Sequence, residues 1–102
     1  MKIVKVTYTT KAEYAGQNKA NIAKVMGDLQ KINNPEIRYD AVVGADDKSF
    51  MHFAVFKTDD AEKVLLGLNS FKHFQEQLKA SGLESPPKQE LLSLVGSSKN
   101  IF

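Results

Sequence analysis

One continuous stretch, from Phe50 to Gly82, constrains the fold more than any other part of this sequence. It starts with a strand of alternating character, passes through an aspartate-rich turn, and continues as a helical pattern that breaks at Gly67. A strand that leads into a helix in this way indicates a layered domain, in which the helix packs on the sheet that contains the strand. The remainder of the chain supplies a matching half.

Four strands are predicted from the spacing of the apolar residues. The first three alternate between two sides of different character, as half-buried strands do. The fourth is apolar at most positions and follows Pro86 and Pro87, which keep the chain extended. The predicted ranges are 2–9, 37–43, 49–56 and 89–95.

Two helices are predicted between these strands. The first begins at Thr10, which forms a capping box with Glu13, and it ends before Pro35. The second begins with Asp59 and Glu62 as an acidic capping box. After the break at Gly67 it resumes with Ser70 as the cap, and one face of this continuation carries Phe71, Phe74 and Leu78.

The element order βαββαβ predicts an α+β, ferredoxin-like fold in a single domain that spans residues 1–102. Right-handed crossovers place the first and third strands side by side in a four-stranded antiparallel sheet. Both helices then cover one face of the sheet, and the other face is open.

The alternation assigns side chains to these two faces. The helix-facing side is predicted to carry Val4, Val6, Tyr8, Tyr39, Val43, Met51, Phe53 and Val55. The open side is predicted to carry Lys5, Thr7, Arg38, Asp40, Phe50, His52, Ala54 and Phe56. Phenylalanines grouped on an open face are too apolar to remain in water. A second copy of the same sheet would cover them, so we expect a homodimer.

Composition and charge exclude several other classes of protein. The chain has no cysteine, which excludes disulfides, thiol catalysis and cysteine-based metal sites. Its 14 basic and 12 acidic residues are interspersed, so neither nucleic acid nor a membrane surface is an expected partner. No apolar run approaches the length of a membrane span, and no signal-peptide core follows Met1. A cytoplasmic location is expected.

Residues 53–78 carry a resemblance to a known family. A strand that ends in an aromatic residue leads into an acid-rich helix start, and the helix is interrupted just before Asn-Ser-Phe-Lys-His-Phe-Gln-Glu-Gln-Leu at 69–78. This arrangement resembles the dimeric α+β barrel superfamily and is similar, within it, to antibiotic-biosynthesis-monooxygenase-like proteins. The resemblance implies two sheets packed back to back as a barrel, with a pocket inside the barrel or between sheet and helices.

Members of that superfamily include cofactor-independent oxygenases and haem-degrading enzymes. Some of the oxygenases carry a histidine at the position where this chain has Leu68. The haem degraders use a tryptophan, and this chain has none. The resemblance therefore implies the fold more strongly than any one activity, and no cofactor is expected.

His52 is the candidate catalytic residue. On the predicted open face it lies near Arg38 and Asp40, and a histidine beside a carboxylate can act as a general base. The alternative is a structural histidine, bonded across the dimer or to a neighbouring strand. No second histidine shares its face, so a metal site is not expected.

Six residues are candidates for ligand binding. Arg38 can anchor an anionic or carbonyl group through its forked donors, or it can simply pair with Asp40. Asn18 interrupts the apolar stripe of the first helix, where it is either bonded to a backbone group or in contact with a ligand. Phe71 and Phe74 fill the core, line a pocket beneath the broken helix, or do both. The full set is Arg38, Asp40, Asn18, Phe50, Phe71 and Phe74.

The third strand also resembles the RNA-binding strand of an RRM domain, with Phe50 and His52 at the positions that stack bases. The first strand offers no exposed aromatic partner, and a net charge of +2 is small for a phosphate binder. RNA binding is therefore not expected.

Together these patterns and the resemblance predict a homodimeric, cofactor-independent, monooxygenase-like enzyme. In this hypothesis an internal base removes a proton from a hydrophobic, oxygenated small molecule, and reaction with O2 or a rearrangement follows. Two alternatives stay open. One is a non-catalytic ligand binder of the same fold. The other is an interaction module whose open face is filled entirely by side chains.

Overall fold

The computed structural model describes residues 1–102. The predicted order of elements is present, except that the break divides the second helix into two separate helices. A short 3-10 turn, Ala12–Tyr14, precedes the first helix. The elements are β1 (Lys2–Thr9), α1 (Ala15–Ile32), β2 (Ile37–Val43), β3 (Ser49–Phe56), α2 (Asp59–Gly67), α3 (Asn69–Ala80) and β4 (Ser85–Leu92).

The four strands form one antiparallel sheet in the order β2-β3-β1-β4. The first and third strands are therefore central neighbours, and the predicted ferredoxin-like arrangement is confirmed. Twelve buried apolar residues form a core between this sheet and the helices. None of the helices combines the length and the apolar character that crossing a membrane requires.

The predicted facing of β3 is wrong. In the register of the central strands, His52 lies opposite Val6 and Phe50 lies opposite Tyr8. Cross-strand partners project from the same face, so alternate residues of β3 from Phe50 onward point toward the helices. These residues are Phe50, His52, Ala54 and Phe56, and all four are buried.

The open face of the sheet is nevertheless apolar, with a different set of residues. Met51, Phe53 and Val55 project from it, together with Arg38 and Asp40 of the neighbouring strand. Met51 and Phe53 are half-buried. The error arose because both sides of β3 are largely apolar, and alternation by itself cannot choose between two apolar sides.

The three predicted helix caps differ from the observed ones. The Thr10 hydroxyl is buried without a hydrogen-bond partner, and the 3-10 turn after it has no side-chain cap. At α2 the cap is Thr58, whose Oγ1 accepts a hydrogen bond from the Ala61 backbone N–H at 3.2 Å. Ser70 lies inside α3, which starts after the extended residue Leu68.

The fourth strand begins and ends earlier than predicted, at Ser85 and Leu92. Its pairing with β1 shifts between Thr7 and Thr9, so that Pro86 and Pro87 together lie opposite the single residue Tyr8. This is a β-bulge, in which the extra residue leaves the ladder and needs no N–H donor. Pro86 and Pro87 are therefore tolerated inside β4, although the sequence pattern predicted that this strand begins after them, at residue 89.

The corrected facing of β3 predicts that Phe50 is a core residue. Its ring stacks on Tyr8 with 5.4 Å between the ring centroids. We expect Phe50→Ala to lower the free energy of unfolding by about 3–5 kcal/mol, measured by chemical denaturation. Leu91→Ala truncates a residue that is 68% exposed, and we expect it to change that free energy by less than about 0.5 kcal/mol. If both substitutions change the free energy of unfolding by an equally small amount, the assignment of Phe50 to the core is contradicted.

Candidate active site

His52 is held between two tyrosines from the strands on either side of it. Its Nε2 lies 2.7 Å from the Tyr8 hydroxyl, and its Nδ1 lies 2.7 Å from the Tyr39 hydroxyl. The three side chains come from β3, β1 and β2, which are neighbours in the sheet, and they share the helix-facing side. Both ring nitrogens are thus bonded within the protein, and the imidazole has one fixed orientation.

Asn18 adds a fourth member from α1. Its Nδ2 donates a hydrogen bond of 2.8 Å to the Tyr8 hydroxyl. Asn18 is completely buried, and its Oδ1 has no hydrogen-bond partner. The prediction that a buried Asn18 is bonded to a backbone group is therefore wrong, since its partner is a side chain of the network.

The network leaves one hydroxyl proton without an acceptor. A neutral imidazole donates from one nitrogen and accepts at the other. If Nδ1 carries the proton, it donates to Tyr39, and the Tyr39 proton is free. If Nε2 carries the proton, Tyr8 accepts from both Asn18 and His52, and the Tyr8 proton is free. With Asn18 donating, each tautomer therefore offers one phenolic O–H to an external acceptor.

Burial keeps all three titratable members of the network uncharged at neutral pH. Desolvation lowers the pKa of His52 to about 4, because the imidazolium would lose its hydration. Desolvation likewise raises the pKa of Tyr8 and the pKa of Tyr39 far above the ordinary phenol value. His52 is only 4% exposed, so little water reaches its ring.

Aromatic rings from α3 close the network on its helix side. Phe74 lies 5.4 Å from the His52 ring, and Phe71 lies 6.2 Å from the Tyr39 ring, measured between centroids. The extended residue Leu68 ends α2 and lets α3 start in a new direction. α3 then presents the buried side chains of Phe71, Phe74 and Leu78 toward the sheet.

A cavity of about 440 Å³ opens beside the network, between the sheet, α3 and the start of β4. Tyr8, Tyr39 and His52 contribute to its wall, and most of the remaining wall is apolar. A second cavity of about 280 Å³ adjoins the network and shares His52 and Tyr39 with the first. Volumes of this order suit a small organic ligand.

The structure brings together some of the predicted site residues and separates others. His52, Asn18, Phe71 and Phe74 belong to one cluster. Phe50 adjoins this cluster by stacking on Tyr8, although it does not line the larger cavity.

The expected grouping of His52 with Arg38 and Asp40 is wrong. Arg38 and Asp40 project from the opposite face of the sheet, where the Arg38 Nε and Asp40 Oδ2 pair at 3.1 Å. No carboxylate bonds to His52, and its partners are two phenols instead. Tyr8 and Tyr39 were not predicted as partners of His52, because the two tyrosines were assigned to the helix-facing side of the sheet and His52 to the open side.

The burial of His52 predicts a pH dependence of stability. The unfolded histidine has a pKa near 6.5 and the folded one a pKa of about 4, so between these values the unfolded state binds more protons. The free energy of unfolding should therefore fall by about 3 kcal/mol as the pH is lowered through this window, and it should be unaffected by His52 above it. Denaturation across this window measures the loss.

The matched variant His52→Gln should lack this part of the acid-induced loss, whereas His73→Gln on the exposed surface of α3 should keep it. An NMR titration of the His52 ring measures the same quantity directly. A midpoint near the ordinary histidine value would contradict the burial of a neutral ring.

Comparison with known proteins identifies the fold. No family model and no curated protein sequence matches the chain. Among solved structures, an antibiotic biosynthesis monooxygenase has a TM-score of 0.73 at 14% identity, covering 94% of this chain and 100% of that one. Rv0793 from Mycobacterium tuberculosis has a TM-score of 0.77 at 14% identity, with 96% and 98% covered.

A third similar structure is SnoaB, a cofactor-independent oxygenase from Streptomyces nogalater. Its TM-score is 0.66 at 19% identity, with 97% of this chain and 96% of that chain covered. The resemblance inferred from residues 53–78 is confirmed at the level of the fold. This chain has the α+β, ferredoxin-like fold of the antibiotic biosynthesis monooxygenases.

Proposed function

We propose that this protein is a cofactor-independent, monooxygenase-like enzyme that removes a proton from a hydrophobic, oxygenated small molecule. The observation that carries the proposal is the position of the Tyr8–His52–Tyr39 network, which contributes polar groups to the wall of a mostly apolar cavity. The likeness in fold to SnoaB, a cofactor-independent oxygenase, supports the same reaction class.

The network divides the chemistry between its two ends. With the proton on Nε2, Asn18 and His52 both donate to Tyr8, and the free Tyr8 proton bonds the carbonyl oxygen of the substrate. At the other end, the Tyr39 oxygen takes a proton from a methylene carbon that is conjugated with that carbonyl, while its own proton moves to Nδ1. The products are an enolate, stabilised by Tyr8, and an imidazolium that the enolate compensates.

Dioxygen supplies the oxidising power. The enolate transfers an electron to O2, the two radicals combine into a peroxide at carbon, and loss of water leaves a ketone. A methylene compound and O2 thus give a ketone and water, and the proton held by His52 returns through Tyr39. The apolar wall keeps water from protonating the enolate first.

Anthrone, with a methylene activated by its carbonyl, is a suitable probe for this reaction. We expect oxygen uptake matched by an equal amount of the ketone product. Tyr39→Phe and His52→Gln should each lower the rate by about 100-fold or more, because each breaks the proton path. His73→Gln, the same substitution on an exposed helical residue, should leave the rate unchanged. Equal rates in Tyr39→Phe and the unaltered protein would remove the network from the mechanism.

A non-catalytic ligand binder is the second candidate. Its support is the low pKa of His52, which makes the imidazole a weak base, and the engagement of both ring nitrogens. This candidate predicts saturable binding of anthrone with no oxygen uptake. The third candidate, a module filled entirely by side chains, has less support because a cavity of about 440 Å³ adjoins His52.

We also propose that the protein is a homodimer formed through the open face of the sheet. Support comes from Met51, Phe53 and Val55, which give this face an apolar centre. Arg38 and Asp40 lie at its side as an exposed ion pair. This is a revised basis for the dimer, because the β3 residues predicted for that face, Phe50, His52, Ala54 and Phe56, are buried in the core.

Phe53→Asp should therefore convert the dimer into a folded monomer, since an aspartate at the centre of an apolar interface cannot be hydrated. Analytical ultracentrifugation gives the mass, and circular dichroism checks the fold. Val95→Asp places the same charge on a fully exposed residue and should remain a dimer. A Phe53→Asp protein that sediments as a dimer would exclude this face as the interface.

A further inference from the structure

The larger cavity is lined by a positive charge and by no negative charge. Its lining contains no aspartate or glutamate, and its one charged side chain is Lys79 of α3. The remaining polar groups are the Tyr8 and Tyr39 hydroxyls, the His52 ring and the Gln75 amide. Apart from the free phenolic proton, the network's hydrogen bonds are already made, so the cavity offers mainly donors to a ligand.

The donors lie at two different depths. His52 and Tyr8 are buried to 4% exposure, whereas Lys79 is exposed at the end of α3. Lys79 takes part in none of the ion pairs of the protein. The nearby cation Lys48 is already paired with Glu84, and Glu62 in the smaller cavity is paired with Lys2. Lys79 is therefore an unpaired cation at the mouth of an apolar cavity.

We propose that this cavity selects a hydrophobic acid, which places its carboxylate at Lys79 and a carbonyl oxygen at the Tyr8 hydroxyl of the Tyr8–His52–Tyr39 network. This inference deepens the proposed function, because it names the substrate class of the same site. The apolar body of the ligand lies between the two ends, against Phe71, Phe74 and Leu78.

Physical reasons favour this order of the two groups. A carboxylate at the inner end would be stripped of water beside groups that burial keeps neutral, which is costly. At the outer end it stays partly hydrated and meets a cation. A neutral carbonyl oxygen, by contrast, needs only the one free O–H that the inner end provides.

The test uses 9-oxofluorene-2-carboxylate, its methyl ester, and fluorene-2-carboxylate, which lacks the ketone. Calorimetric titration gives the dissociation constant of each. We expect the acid to bind roughly fivefold more tightly than the ester, as one partly exposed ion pair allows. Lys79→Gln should abolish this ratio, and added salt should reduce it. Lys72→Gln removes a charge from an exposed residue of α3 outside the cavity lining and should preserve it.

The ketone end is tested separately. The ketone acid should bind roughly tenfold more tightly than fluorene-2-carboxylate, because the latter leaves the free phenolic proton without an acceptor. Tyr8→Phe should remove that preference and leave the ratio of acid to ester intact. If Tyr8→Phe unfolds the protein, the proposal is still tested by two ratios of dissociation constants, acid to ester and ketone acid to fluorene-2-carboxylate. Both are measured in the unaltered protein and in Lys79→Gln.

Three outcomes would overturn the proposal. The first is equal binding of the acid and the ester, and the second is a Lys72→Gln variant that loses the preference for the acid as fully as Lys79→Gln does. The third is a Lys79→Gln variant with a lower melting temperature and an unchanged preference, as expected if Lys79 only stabilises the C-terminus of α3. Because these measurements involve no turnover, they are independent of the oxygenase reaction. Acid-selective binding without oxygen uptake would uphold the substrate class and reject the enzyme.

Discussion

The antiparallel register of the three strands β2, β3 and β1 is the constraint on which the rest of this structure depends. It sets His52 opposite Val6 and between the tyrosines of the neighbouring strands, although Tyr8 is 44 residues distant in the chain. Side chains alternate with a period of two, so a slip of one residue would turn His52 to the other face. The stacking of Phe50 on Tyr8 and the packing of α3 hold this register.

The core that results is unusual in placing a polar network among aromatic rings. Four polar side chains meet there, and nearly all of their groups are paired with one another. Two groups are exceptions, namely the Oδ1 of Asn18, which is buried without a partner, and one phenolic proton of Tyr8 or Tyr39. An apolar residue at position 18 would avoid the cost of the unpaired Oδ1, but it would also remove the hydrogen bond that Asn18 donates to Tyr8. Departures from the cheapest core are typical of functional sites.

Local patterns in the sequence were sufficient for the framework of the fold. The element order, the neighbourhood of the first and third strands and the helix break near Leu68 all follow from periodicity, turn residues and crossover handedness. The arrangement of the candidate site could not be predicted from local patterns alone. Both sides of β3 are largely apolar, so its facing depended on the register with β1, which no local pattern contains. In the observed register β3 has the opposite facing, and His52, which was expected beside Asp40, is bonded to two phenols.

The bulge at Pro86 and Pro87 has a consequence for how the molecule meets other chains. β4 is an edge strand, and a free edge is a template on which strands of other molecules can align and aggregate. The two prolines have no N–H to offer, and the bulge twists the strand away from a flat edge. The same prolines line the cavity. The part of β4 that lines the cavity is therefore a poor template for the addition of a further strand.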